Sequence, residues 1–116
     1  MIFHFYFRPT FVLESEKLIK DRYYSTCGLI IGKDGPPVVA ITGGVEKGME
    51  VWNPATKTVE LLWDEIPAEE GASYGLFESE LVTIKGGTEF VLYGGHNGAF
   101  QDGIWKYLVA ENSWTR

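Results

Sequence analysis

Two double glycines, Gly43-Gly44 and Gly94-Gly95, stand 51 residues apart, and the same kind of stretch surrounds each. Ahead of the first pair lie β-rich runs at 28–32 and 37–42, and after it runs at 49–52 and 57–62. The second unit repeats this with 81–84 and 89–93, then 103–108 and 113–115. Turn chemistry separates the runs: Lys33-Asp34-Gly35-Pro36, Asn53-Pro54-Ala55-Thr56, Lys85-Gly86-Gly87-Thr88 and Ala110-Glu111-Asn112. Asp-Gly favours a tight hairpin, and Asn-Pro opens a turn because proline pre-sets φ at the second position. Seven residues separate Trp52 from Val59, and seven separate Tyr107 from Trp114. Trp52 and Tyr107 are 55 apart, so the second loop is four residues longer. Leu29-Ile30-Ile31 aligns on Leu81-Val82-Thr83. A period near 50 with four strands per unit predicts stacked sheets, each burying its faces against its neighbours. No stretch sustains a period of 3.6; only residues 14–20 offer a short helix, and Leu18-Ile19 gives it thin apolar support.

Composition fits this pattern. The 14 glycines allow close backbone approach, and Trp52, Trp105, Tyr107 and Trp114 are flat groups suited to filling space between sheets. Hydrophobic residues at 45% and charged residues at 22% are globular values. A net charge of −6 argues against nucleic-acid binding, which needs a basic face. One cysteine, Cys27, excludes an internal disulfide, and no run reaches the roughly 20 apolar residues of a membrane span. The apolar start, Met1-Ile2-Phe3-His4-Phe5-Tyr6-Phe7, lacks the basic flank and cleavage site of a signal peptide. The expectation is a cytoplasmic protein with no membrane contact.

The residues Gly43-Gly44, Trp52-Asn53-Pro54-Ala55-Thr56, Gly94-Gly95, Tyr107 and Trp114 give the chain its resemblance to the kelch repeat family. Arg22-Tyr23-Tyr24-Ser25 resembles the usual opening of a repeat. The resemblance covers about residues 22–116. The second unit fits best; the first has Trp52 for the tyrosine and Val59 for the tryptophan. It implies an all-β fold of two four-stranded antiparallel propeller blades, at 22–63 and 64–116, the second with a truncated outer strand. Residues 1–21 fit neither unit: they read as a strand of a preceding blade or as a stretch unrelated to the repeats. Propellers have typically four to eight blades, so 116 residues read as a piece of a longer ring. Kelch propellers imply a protein-interaction module, such as a substrate-recruiting ubiquitin-ligase adaptor or a cytoskeletal binder. The alternatives are part of a copper-dependent sugar oxidase and a self-assembling partial propeller.

Candidate chemistry is sparse. His4 and His96 with one cysteine supply a transition-metal site poorly, and no cofactor is expected. Cys27 reads as a small buried residue rather than a nucleophile, and no serine sits in a nucleophile-elbow context. Neither Gly43-Gly44 nor Gly86-Gly87 precedes a phosphate-binding signature or a helix. Asp64, Glu65, Glu69 and Glu70 read as a solvated acidic run or a patch for a basic partner, not as catalytic carboxylates. If the fold is kelch-like, residues 45–48, 63–77 and 96–102 share one face, and loops on a rigid scaffold carry recognition. The expected contacts there are Tyr74, His96, Asn97, Phe100 and Gln101, with Glu69 and Glu70 setting a charge preference toward protein partners, basic ones included.

Overall fold

The computed structural model describes residues 13–32 and 35–116. The expected fold class is present. The described chain is all-β, with two antiparallel four-stranded meanders and no α-helix. Sheet 1 runs β1 (Thr26–Ile30), β2 (Val38–Thr42), β3 (Met49–Asn53) and β4 (Thr58–Trp63). Sheet 2 runs β5 (Glu80–Ile84), β6 (Glu89–Tyr93), β7 (Ile104–Leu108) and β8 (Ser113–Thr115). Within each sheet every strand neighbours its sequence successor, so connections alternate between the two ends of the molecule.

Cross-strand register makes the repeat literal. In sheet 1, Val39 pairs with Trp52 and Trp52 with Val59; in sheet 2, Phe90 pairs with Tyr107 and Tyr107 with Trp114. Trp52 and Tyr107 therefore hold one position, and the seven-residue spacings are both cross-strand pairs. The alignment of the first strands needs correction. Leu29 faces Val39 and Thr83 faces Phe90, so Leu29 corresponds to Thr83 and not to Leu81. The longer connection between Ile30 and Val38 displaces the alignment.

The sheets pack face to face through Ile30, Ala40, Met49, Phe90, Leu92 and Tyr107, all buried. Phe90 and Tyr107 stack at 4.8 Å, and Trp114 meets the Phe90 ring edge-on at 5.4 Å. Gly28 lies against Leu81 and Thr83, where a Cβ would collide with the Leu81 side chain. Thr83 Oγ1 donates to the Leu29 carbonyl at 2.9 Å, and the Ile31 amide donates to the Gly87 carbonyl at 2.7 Å. At the outer side Trp63 Nε1 donates to Asn112 Oδ1 at 2.7 Å, and the Tyr107 hydroxyl donates to the same oxygen.

Residues 14–20 form no helix. Their backbone amides have a better acceptor: those of Ile19 and Lys20 donate to the Glu50 carboxylate. Glu16 accepts from Trp52 Nε1 at 3.1 Å, and Leu18 lines a small cleft with Ile41, Trp52 and Val59. The segment thus covers the outer face of sheet 1. Residues 1–12, including His4 and the alternating aromatic run, lie outside the described residues. On the outer face of sheet 2, Val82, Tyr93 and Ile104 are exposed.

Candidate functional site

The double glycines hold one end of the molecule together. Gly44 has φ +82°, and a Cβ there would fall on the Tyr23 carbonyl oxygen; the next amide, Val45 N–H, donates to that oxygen at 3.3 Å. Gly95 has φ +83°, and a Cβ there would lie 2.6 Å from the Phe77 carbonyl oxygen; His96 N–H donates to it at 3.0 Å. Tyr23 and Phe77 each precede the first strand of their sheet by three residues. In both units glycine lets the entering chain run against the loop that follows the second strand. Gly43 serves the junction between units: a Cβ there would meet the Leu76 carbonyl, which accepts from the Gly44 amide at 2.9 Å.

Aromatic side chains converge on this end. The Tyr23 and Tyr24 rings lie 6.0 and 5.9 Å from Phe77, Tyr74 lies 5.2 Å from it, and His96 stacks on it at 5.6 Å. Phe100 meets His96 at 6.2 Å with the rings near perpendicular. Tyr74, His96, Gly98, Ala99 and Phe100 line a cleft of about 310 Å³. Phe100 is 93% exposed, and Tyr23 and Tyr24 are 58% and 62% exposed. Beyond Gly98-Ala99 lies a second cleft, of about 510 Å³, lined by Glu70, Asn97, Gln101, Trp105 and Arg116 among others. Asn97 Nδ2 donates to the Ala68 carbonyl at 3.1 Å, and Gln101 Nε2 donates to Asn97 Oδ1 at 2.8 Å. These amides tie the 94–103 loop to the 64–79 connection and leave less capacity for a ligand.

The residues expected from sequence thus gather at one end, with one correction. Glu69 is fully buried. Its carboxylate accepts from the amides of Gly48 (2.8 Å), Ile66 (3.1 Å) and Leu76 (3.2 Å), and burial pushes its pKa upward despite these bonds. It closes loops and offers no charge to a partner; Glu70, its neighbour, is exposed. Cys27 is also not a buried residue: it lies in β1 and is exposed.

A second buried carboxylate, Glu50, pairs with Arg22 at 2.7 Å, both side chains being fully buried. Arg22 also donates to the carbonyls of Gly43, Glu46 and Lys47 at 2.8–3.1 Å. This pair fixes the entering chain beneath the aromatic residues. Sequence reasoning singled out Arg22-Tyr23-Tyr24 as a repeat opening but missed Tyr23 and Tyr24 as part of the surface, and placed Phe77 on the shared face without naming it as a contact. The signal available was the 54-residue offset between Tyr23 and Phe77, the same offset that separates the starts of β1 and β5. Among the described residues no three His, Cys, Asp or Glu side chains are placed to hold a metal ion, and no helix is long and apolar enough to cross a membrane.

Compared with known proteins, the chain matches no family model and no curated protein.

Proposed function

We propose that the chain is a protein-interaction module of kelch-propeller type that binds its partner with the loop end carrying Tyr74, His96 and Phe100. The observation that carries this reading is the continuous run of aromatic contacts from Tyr23 and Tyr24 through Phe77 to Phe100, exposed at both extremities. Aromatic side chains supply large contact area at low entropy cost and dominate binding hot spots. They sit on loops braced by a buried ion pair, so little order is lost on binding. The kelch resemblance adds the partner class: a recruited substrate or a cytoskeletal protein. A photo-crosslinking residue at Phe100 should capture a partner that one at Thr58, on the opposite end, does not. The combined Tyr74→Ala, His96→Ala and Phe100→Ala variant should weaken the captured partner's affinity by about tenfold or more. Unchanged affinity would overturn the assignment.

Self-association is a second reading, favoured by Val82, Tyr93 and Ile104, which leave the outer face of sheet 2 apolar and exposed. A molar mass that rises with concentration in light scattering, and falls back in Ile104→Asp, would support it. A constant monomer mass would exclude it.

A further inference from the structure

We infer that the cleft between Tyr74, His96 and Phe100 takes an arginine side chain from a basic, extended segment of the partner. This inference rests on the loop-end reading above and deepens it. The cleft is lined by the Tyr74, His96 and Phe100 rings together with Gly98 and Ala99, and the His96 and Phe100 planes are inclined by 70° and form an aromatic corner. A cation within about 6 Å of a ring centroid is attracted by the ring's quadrupole, and a planar guanidinium also stacks.

The charges at this end select a cation. Among the described residues, its own cations have carboxylate partners. Lys20 pairs with Asp64 at 3.1 Å, Lys47 with Glu65 at 2.6 Å and Arg22 with Glu50 at 2.7 Å. Arg116 lies 5.8 Å from the Trp105 ring centroid and 3.8 Å from Asp102. Glu46, Glu70 and Glu78 are exposed on the same loops and enter none of the ion pairs among the described residues. The end therefore presents carboxylates outside those ion pairs on the loops that carry the aromatic cleft, Glu70 and Glu46 lining the clefts on either side of it, within a chain of net charge −6. A basic segment gains both the long-range attraction and the local cation–π contact.

The test is a titration of the protein with a short blocked peptide bearing one central arginine, followed by NMR of the Tyr74, His96 and Phe100 ring protons. Peptides with citrulline, lysine and glutamate in its place serve as comparators. Citrulline keeps the shape and removes the charge. The expected result is saturable shifts at the three rings, with citrulline weaker by about tenfold and glutamate without effect. Phe100 is almost wholly exposed, so its variants should fold; Phe100→Ala should weaken binding by about threefold to fivefold and Phe100→Trp should preserve it. Citrulline binding as well as arginine overturns the charge selection and leaves the loop-end surface standing. Lysine binding as tightly overturns the choice of arginine. Shifts with none of the peptides overturn the cationic ligand outright, and the crosslinking at Phe100 then judges the surface independently.

Discussion

Glu69 and Glu70 are adjacent and chemically equivalent in sequence, yet one is fully buried and the other exposed. The buried carboxyl closes three backbone amide bonds that hold the 48, 66 and 76 positions together. Removing it strands buried donors, so Glu69→Ala should cost about 1–3 kcal/mol or more in chemical denaturation. Its pKa is raised by burial above the ordinary 4.5, so between that value and the folded pKa the native state holds more protons than the unfolded state. Stability from this group is therefore greatest at low pH and falls as pH rises through the folded pKa. The difference in unfolding free energy between the protein and Glu69→Gln, followed across that range, should show this downward slope; a flat difference would remove the group from the pH response. Composition alone gave no means of separating the two glutamates, because burial is set by the 64–79 connection turning back under the loops.

The glycines belong to the same scale and were legible in part. Their pairing and period announced a close approach of chains. What they approach, the carbonyls of Tyr23, Leu76 and Phe77, needed the fold. Gly44→Ala and Gly95→Ala combine positive-φ strain of about 1–3 kcal/mol with a collision against backbone. Gly94, also at positive φ, has nothing within 4 Å of an added Cβ, so Gly94→Ala should cost less than either. Thermal unfolding of the three variants checks the order.

At the level of elements, the strands and their meander order followed from alternation and turn residues. Relative to the sequence reading, β1 (Thr26–Ile30) is displaced two residues toward the N-terminus from 28–32, and β5 (Glu80–Ile84) gains one residue at its front. The 14–20 segment, for which the sequence offered only a thinly supported helix, forms none, because Glu50 and Trp52 offer it tertiary partners stronger than its own propensity. Tyr107 tests the interface between sheets. It is buried, its hydroxyl is hydrogen-bonded to Asn112, and burial raises its pKa. Tyr107→Phe should lose about 0.5–1.5 kcal/mol, the net worth of that bond. Tyr107→Ala should lose about 3–5 kcal/mol through the cavity between Phe90 and Trp114. Equal losses in urea denaturation would mean that the ring packs less than its burial implies.

For the whole molecule, the antiparallel meander sorts connections by end. The 43–48, 64–79 and 94–103 segments lie at one end, and the 53–58, 85–88 and 109–112 turns at the other. The kelch resemblance led to the expectation of Tyr74, His96 and Phe100 on one face, and their convergence into one cleft follows from Phe77, which touches both Tyr74 and His96. The 63–77 connection was expected on this face, but nothing in the sequence indicates that Phe77 packs between Tyr74 and His96; that needed the fold. The proposed docking of partners on this aromatic end predicts a footprint on the protein. Hydrogen–deuterium exchange of the protein with and without its crosslink-identified partner tests it most directly. Protection should appear at residues 22–25, 74–78 and 96–101, with 53–58, 85–88 and 109–112 unchanged. Protection confined to the opposite turns would overturn the proposed docking surface.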